Sequence, residues 1–556
     1  MKRNQLLSVL IGMLLIFSWQ SKVYAQKADT VTVIAPMPGD LYNFIEKDTL
    51  ANGNRVNPNR YYRLERGKVY VVKGIMYFRH DLNLIADDDD PRNPTRPPML
   101  VNGKLADGSN NTLLIALMKN QSKCLFKNIF FQGVSTDRKE EDDNEAISIV
   151  ADSVRLIVDK CVFNAFGLRS IDLWGRGNKL YIRNNNFRNH VRAQPFKGQL
   201  IANAGALYMD TVVITNNTSF NNNSYFWEPG SSIIRYEKIE HNTIYTSIVN
   251  TLYSPWMANS EIKDNIFYSA LSYGQLQSEV NGGWYDFQNS LSSIISVTKS
   301  SSFQLGLNGM TEEGRKIDVS NNNYFWPQKI KDNWSTMSLI ASDLWMNTRT
   351  VGYFGDKTTY PNFSNSNNLN LDPIFDTQME KIVLDSLIYW VNNFRTNNRS
   401  TYRNYNIGST DLLLPTWPLP ENLAYTNPQL MTAGHDGLPI GDLNWFPEAK
   451  KVWEALNNVT GLQSIYDQGE NMLHLTNYPN PANHYTTFTF SLPQFGKTTL
   501  NLFNIEGKQV ATIVASELSS GVHSFEFDTR KIAQGVYVYH LISGNYIERN
   551  KLIVIK

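Results

Sequence analysis

The 556-residue chain has little of what marks several protein classes. Its only cysteines, Cys124 and Cys161, are too few for a disulfide framework, so both are expected to be buried free thiols. Basic and acidic residues number 52 and 51, which argues against a nucleic-acid partner. No apolar run beyond residue 25 is long enough to cross a membrane. The chain is therefore expected to fold around a large core without cross-links.

The first 25 residues have the order of a secretory signal. Lys2 and Arg3 precede an apolar run over residues 6–17, and a polar stretch then ends at the small residue Ala25. This order predicts a signal peptide over residues 1–25 that is cleaved after Ala25. The mature protein is therefore expected to pass through the periplasm and to be secreted or held at the cell surface.

A short motif of asparagines followed by an aromatic residue recurs through the first half of the chain. Its aromatic positions are 130, 163, 187, 220, 245, 267 and 324, mostly 22 to 33 residues apart, which is a solenoid period. Asparagine tolerates the backbone of a tight turn, and like side chains stack when turns repeat. The motif therefore predicts a parallel β-helix in which asparagines turn each coil and one interior column contains Phe163, Phe187, Phe220 and Phe267.

The predicted fold class is all-β: a right-handed parallel β-helix followed by a small C-terminal β-sandwich. Residues 26–60 are expected to form a leader and cap, 61–330 the β-helix, and 331–447 an irregular continuation with loops. Loops are expected to project from the coils at 135–145 and 190–206. A short helix, with Val452, Trp453 and Leu456 on one side, and a linker are predicted over 448–473. Residues 474–556 alternate polar and apolar side chains between Gly and Pro corners, as in a sandwich.

The C-terminal 80 residues or so carry a specific set of motifs. These are Asn-Tyr-Pro-Asn-Pro at 477–481, Leu-Asn-Leu-Phe-Asn-Ile-Glu-Gly-Lys-Gln-Val at 500–510 and Gly-Val-Tyr-Val-Tyr at 535–539. In order and spacing they resemble the sorting domain of cargo for the type IX secretion system of the Bacteroidetes. The resemblance implies passage across the outer membrane through that machinery, and then release or surface attachment.

Residues 61–325 resemble the pectate-lyase-like superfamily of right-handed parallel β-helices. The likeness rests on residues 156–163, on Ile-Asp-Leu at 171–173, and on the stretch from Tyr181 to His190. Lys160 replaces a histidine of the family, and Leu168 stands where the family has an aspartate four residues before Asp172. The next coil, residues 203–208, lacks the family's catalytic arginine motif. The resemblance therefore supports the fold far more than the activity.

A lyase acting on a uronate polymer must neutralise a carboxylate and remove the neighbouring proton, which calcium and basic side chains can do. The sequence offers three sets of candidates for such a site. The predicted catalytic residues are Arg188, Lys197, Arg192 and His190. The predicted calcium ligands are Asp172, Asp143 and Glu145. The predicted sugar-binding residues are Trp227, Trp256, Trp284 and Arg183.

The expected function is action on a polysaccharide, by β-elimination of a uronate polymer. Hydrolysis by two carboxylates about 5–10 Å apart is a second enzymatic route. The alternative is a non-catalytic β-helix that binds glycans or builds the cell surface, with the same charged residues as solvated turns. The sequence leaves open whether the protein is an enzyme. Its partners are expected to be a polysaccharide and the secretion machinery, and the protein itself is expected to be a monomer.

Overall fold

The computed structural model describes residues 30–33, 40–192, 194–230, 232–283, 290–300, 305–306, 309–396, 404–457, 475–492, 495–504, 508–519, 521–543 and 546–556. The chain divides into two compact units, Met1–Lys450 and Lys451–Lys556. The predicted signal peptide lies outside the described residues. Among the helices of the described part, none is long and apolar enough to span a bilayer.

The first unit winds repeatedly through three parallel sheets, visiting the first, the second and then the third. The first sheet contains β1 (Thr30–Val33), β2 (Tyr61–Leu64), β5 (Leu82–Ile85), β8 (Lys123–Lys127), β11 (Arg155–Asp159), β14 (Lys179–Arg183), β17 (Met209–Thr215), β20 (Ile234–Glu240), β22 (Asn259–Lys263), β24 (Lys316–Ser320) and β26 (Phe363–Ser366). The second contains β3 (Val69–Val72), β6 (Met99–Asn102), β9 (Phe130–Gln132), β12 (Val162–Asn164), β15 (Asn186–Arg188), β18 (Thr218–Phe220), β21 (Thr243–Tyr245), β23 (Ile266–Tyr268) and β25 (Asn323–Phe325). The third contains β4 (Met76–Phe78), β7 (Leu113–Leu117), β10 (Glu145–Ile149), β13 (Arg169–Leu173), β16 (Gln199–Ala202) and β19 (Trp227–Glu228). This arrangement confirms the predicted parallel β-helix.

Asparagines make the turn from the first sheet to the second, as predicted. In eight successive turns, from the one after β8 onward, one residue has a left-handed backbone with φ between 52° and 58°; these residues are Asn128, Lys160, Asn184, Asn216, His241, Asp264, Asn321 and Asn367. The next residue points into the turn, and from Asn185 to Asn368 each such amide donates through Nδ2 to the Oδ1 of the next at 2.9 Å. The ladder comprises Asn185, Asn217, Asn242, Asn265, Asn322 and Asn368.

The interior aromatic column forms, but its predicted membership was partly wrong. Phe163 and Phe187 stack with ring centroids 4.8 Å apart, and Phe267 occupies the same register column. Phe220 does not, because β18 pairs Ser219 with Phe187 and so places Phe220 one residue further on. Phe220 stacks instead with Tyr245 in the neighbouring column, on the outer face of the second sheet.

The remaining parts of the first unit differ from the predicted loops. Helices lie at Asp40–Glu46, Gln277–Asn281, Gln328–Thr336, Thr348–Gly355, Thr377–Arg395 and Pro447–Leu456, the last of which crosses from the first unit into the second. Short 3-10 turns lie at Leu430–Thr432, Leu443–Trp445 and, in the second unit, Thr529–Lys531. The helix Thr377–Arg395 was not predicted, and it buries Leu387 and Trp390 in the main core. The stretch 190–206 was expected to be a loop, yet it contains β16. Of the predicted apolar helix face, only Trp453 is buried.

A segment that we call the strap, residues 404–446, runs back over the outer face of the second sheet. Leu413 packs with Phe130 and Val162 near the early coils. Further along, Tyr425 and Ile440 pack in the cluster that contains Phe220 and other outer-face aromatics. The strap therefore buries a sheet face that the sequence analysis had left open.

The second unit confirms the predicted β-sandwich. One antiparallel sheet contains β27 (Thr476–Tyr478), β28 (Tyr485–Leu492) and β31 (Gly521–Asp528). The other contains β29 (Gly496–Asn504), β30 (Gln509–Leu518), β32 (Gly535–Ser543) and β33 (Tyr546–Val554). Its own core includes Phe488, Leu500 and Tyr539.

Candidate functional site

Arg188, the first predicted catalytic residue, lies fully buried beneath the strap. Its Nε and Nη2 donate to the two carboxylate oxygens of Glu421 at 2.8 and 3.0 Å. Nη1 donates to Asn164 Oδ1 at 2.8 Å, and Nη2 also donates to the carbonyl of Tyr405 at 2.7 Å. Both charged side chains have no exposed surface, so this guanidinium holds the strap in place.

The other predicted catalytic residues do not converge with Arg188 on one open groove. His190 is buried between Ser170 and Asn222, and this burial lowers its pKa to about 3, which keeps the imidazole neutral. Arg192 is fully buried and donates to the backbone carbonyls of Glu141 and Ala165. Lys197 lies nearer the surface, where its ammonium pairs with the exposed carboxylate of Asp143.

The predicted sugar-binding residues lie mostly inside the protein. Trp227 is fully buried, and its indole N–H donates to Glu237 at 2.6 Å. Arg183 is almost entirely buried, with its Nε 3.6 Å from a carboxylate oxygen of Asp159. Trp256 packs its half-buried ring against a small apolar cluster. Trp284 lies outside the described residues. The described members of this set therefore form no exposed aromatic platform.

Two of the three predicted calcium ligands meet on the outer face of the third sheet. Arg169 joins them, because its Nη1 lies 3.1 Å from Glu145 Oε1 and 3.6 Å from Asp172 Oδ2. Asp143 is not part of this group, since it pairs with Lys197. The structure thus brings together the acids from β10 and β13 and adds a cation that the sequence analysis did not name.

The register of the third sheet adds a third acid to this face. A single outward column runs through Tyr77, Ala116, Ser148, Asp172, Ala202 and Glu228. The flanking residues Ile171 and Ile201 point into the core. Ala202, which lies between Asp172 and Glu228 in this column, contributes only a methyl group, and Asp172 itself is 1% exposed. We call Glu145, Arg169, Asp172, Trp174 and Glu228 together the acidic strip.

Burial and mutual repulsion keep protons on the acidic strip. Burial, and then the negative charge of Asp172, raise the pKa of Glu145 to about 7, while Arg169 acts the other way. Burial likewise raises the pKa of Glu228 to about 7, against the effects of Arg169 and Gln199. Burial raises the pKa of Asp172 too, although Arg169 and the indole N–H of Trp174 favour its ionised form. Two of the three acids therefore exchange protons near neutral pH.

Trp174 gives the strip an exposed aromatic surface, with 48% of its area accessible. Its Nε1 donates to Asp172 Oδ2, which fixes the ring beside the carboxylate. The sequence analysis missed Trp174 and Glu228 as site residues. Alternation along a strand was the available signal for Trp174, because residues two apart share a face and Trp174 follows Asp172 by two. Glu228 gave no comparable signal, because its alignment with Asp172 depends on the register across β16.

Comparison with known proteins identifies the second unit. Residues 476–556 match the model of the secretion system C-terminal sorting domain, over most of the sandwich just described. Such a domain marks an exported protein. The chain is a cargo of the type IX secretion system, and it is exported to the cell surface or the extracellular space. No curated protein matches the chain.

Proposed function

We propose that the protein cleaves a polysaccharide at the acidic strip by general acid–base chemistry. The observation that carries the proposal is the gathering of Glu145, Asp172 and Glu228, all with raised pKa values, beside an exposed tryptophan. Carboxyl groups with perturbed pKa values, beside an exposed side chain, are the groups that acid–base catalysis needs. An exposed indole provides an apolar surface on which a sugar ring can pack.

Glycoside hydrolysis suits this arrangement better than β-elimination does. Asp172 and Glu228 share a register position two strands apart, which separates their Cα atoms by about 10 Å. Inverting glycosidases hold their two carboxyl groups about 6.5–9.5 Å apart, with a water molecule between acid and base. Glu228, with a pKa of about 7, is the proposed acid, and Asp172, held toward its ionised form by Arg169 and Trp174, is the proposed base.

The charge of the strip also bears on the substrate. Three acids face one cation, Arg169, which is already paired with Glu145 and lies near Asp172. A uronate polymer would bring further negative charge to this face and would be repelled. A neutral polysaccharide is therefore the favoured substrate. Calcium at Glu145 and Asp172 stays a prediction, and it would relieve this repulsion by supplying positive charge to oxygen ligands.

One observation favours the second candidate, a glycan-binding protein without catalysis. Tyr77 on β4 and Val150 directly after β10 are also exposed, so exposed apolar side chains form a broken line over the coils of this face. Such a line can hold a polymer whether or not the acids react. Binding without cleavage is then expected, and it would be lost when Trp174 is replaced by alanine.

The test is a polysaccharide panel with two readouts. Purified protein is incubated with neutral and uronate polymers, with and without calcium; new reducing ends report any cleavage, and absorbance near 235 nm reports β-elimination. We expect reducing ends from a neutral polymer without the absorbance change. Glu228→Gln should lower the rate by at least about 100-fold, because it removes the acid.

The matched control is Glu261→Gln, which changes a half-buried acid on the first sheet, away from the strip. This variant should keep the full rate. Equal rates for Glu228→Gln and wild type would contradict the assignment. A rise in absorbance near 235 nm with a uronate polymer would show that the reaction is β-elimination and would contradict hydrolysis. If the protein retains a polymer but releases no new reducing ends, the catalytic proposal is contradicted and the glycan-binding function is supported.

A further inference from the structure

A cluster of potential metal ligands lies far from the acidic strip, where the strap crosses the turn between the first and second sheets. His241 and Asp264 come from two successive turns, and His435 and Asp436 come from the strap. Two overlapping groups each place their ligand atoms within 4.8 Å of one another: His241, Asp264 and Asp436, and Glu240, Asp264 and His435. Asp264 belongs to both groups.

The sequence of the turns changes at the place where the strap docks. At five of the eight left-handed turn positions the residue is asparagine; His241 and Asp264 replace it at two consecutive turns. Both side chains have no exposed surface. Asparagine would serve the turn equally well, because it tolerates the left-handed conformation. The turn conformation therefore does not explain why His241 and Asp264 stand at these two positions.

The orientation of His241 points to a ligand. Its Nδ1 lies 3.3 Å from the carbonyl oxygen of Gly441, which can only accept, so Nδ1 carries a proton. Its Nε2 faces two carboxylates, at 3.1 Å from Asp436 Oδ2 and 3.5 Å from Asp264 Oδ2. A histidine that donates one ring N–H to a backbone carbonyl and turns the other nitrogen toward acids has the usual setting of a metal ligand.

The strap backbone is fitted closely to hold this carbonyl in place. Gly441 has φ of +86°, and its N–H donates to the carbonyl of Asp264 at 2.7 Å. A Cβ at this position would lie 2.6 Å from Thr243 Oγ1, so only glycine fits. The backbone N–H of His435 donates to Asp264 Oδ1 at 2.9 Å, and its ring Nδ1 contacts Oδ2 of the same carboxylate. The turn and the strap are thus joined through Asp264.

We propose that His241, Asp264 and Asp436 bind one divalent transition-metal ion of the Zn²⁺ class, which fastens the strap to the β-helix. Zinc lies about 2.0–2.2 Å from nitrogen and oxygen ligands, so two ligands of a tetrahedral ion lie about 3.4 Å apart. The 3.1 and 3.5 Å separations at His241 Nε2 meet this requirement. Imidazole together with carboxylates favours zinc over calcium or magnesium, which prefer oxygen ligands alone.

The charge balance supports a bound cation. Glu240, Asp264 and Asp436 bring three carboxylates to the cluster, and Lys238 pairs with Glu240 at 2.9 Å. A divalent ion would place opposite charge between the carboxylates of Asp264 and Asp436, at the ring nitrogen of His241 that they now contact. The proposal is independent of the chemistry proposed for the acidic strip.

The test measures zinc binding by the full chain. After exhaustive chelation, the protein is titrated calorimetrically with Zn²⁺, Mn²⁺, Ca²⁺ and Mg²⁺, and its metal content is measured after dialysis against zinc. We expect one zinc ion per chain and at least about tenfold weaker binding of calcium. Zinc should also slow hydrogen exchange over residues 433–442. A stoichiometry of zero, or equal affinity for zinc and calcium, would overturn the proposal.

The chain itself suggests the variants. His241→Asn restores the residue found at most other turns, so the fold should be kept while zinc affinity falls by about tenfold or more. Lys160→Asn makes the same kind of change at another left-handed turn, with φ of 54°, and should leave zinc binding unchanged. Asp436→Asn on the strap gives a second variant in case His241→Asn fails to fold. Wild-type zinc affinity in a folded ligand variant would refute the assignment.

Discussion

Neutralising Glu421 should release the strap, because this residue forms the one fully buried ion pair between the strap and the coils among the described residues. Arg188 donates five hydrogen bonds: two to Glu421 and one each to Asn164, Tyr405 and Asn406. In Glu421→Gln the guanidinium stays buried without its counter-charge. Removing one partner of a buried pair costs about 3–5 kcal/mol, and we expect a loss of that size in strap opening.

A double-mutant cycle separates the pair from its surroundings. Replacing Arg188 and Glu421 together by methionine removes both buried charges and keeps the volume filled. The double variant should lose less stability than either single change, because no uncompensated charge is left. Arg138 and Asp411 supply the control, since they form an exposed ion pair between a coil loop and the same strap. Asp411→Asn should cost no more than about 1 kcal/mol.

The measurement is hydrogen exchange in peptides that cover residues 404–446, which gives the free energy of strap opening. Glu421→Gln should speed this exchange by a factor of about 100 or more, while the strands of the three β-helix sheets keep their protection from exchange. If strap peptides of Glu421→Gln exchange as slowly as those of Asp411→Asn, the reasoning is refuted. Uniform acceleration through the whole β-helix would refute it too, because the strap would then not open by itself.

Three further predictions address the core, the ladder and the strip. Phe187→Ala should lower the free energy of unfolding by about 3–5 kcal/mol in urea titrations, whereas Phe495→Ala, at a side chain 65% exposed, should change it by less than about 0.5 kcal/mol. Asn242→Ala leaves buried backbone and amide groups without partners, and its loss in the same titrations should exceed about 3 kcal/mol; a loss near that of a surface change would contradict the ladder. Glu145, with a folded pKa of about 7 above its ordinary 4.5, stabilises the protein only while protonated, so stability should fall by up to about 3 kcal/mol as pH rises from 4.5 to 7 and beyond. Thermal unfolding between pH 4.5 and 8 checks this, and the same slope in Glu145→Gln would exclude Glu145 as its source.

The coil architecture could be predicted because each turn encodes it locally. The left-handed backbone and the inward side chain two residues later depend on neighbours in sequence, and the repeat of asparagines signalled that their amides would stack between coils. Phe220 was wrongly assigned to the interior column because the prediction aligned the aromatic residue of each motif with the aromatic residue of the next. Counting two residues from the ladder amide instead gives Phe187 from Asn185 and Ser219 from Asn217, which is the observed register.

The strap and the acidic strip could not be predicted in this way. Glu421 meets Arg188 across 233 positions, and the strap has no hydrophobic period to signal which face it covers. Arg188 was therefore interpreted as a free cation in a groove, although it is the partner of a distant acid. Glu228 reaches Asp172 only through the pairing of β13, β16 and β19, which no local pattern specifies.

The strap also decides which face of the β-helix can meet a polymer. It covers the outer face of the second sheet with apolar clusters, so a ligand there would have to displace a packed segment. The first sheet carries charges that pair within and between neighbouring coils, such as Lys263 with Asp318 at 2.8 Å, and a neutral polymer gains little by separating them. The third sheet presents acids with raised pKa values and the exposed ring of Trp174. If the protein acts on a polysaccharide, the physical chemistry of the three faces places that action on the third sheet.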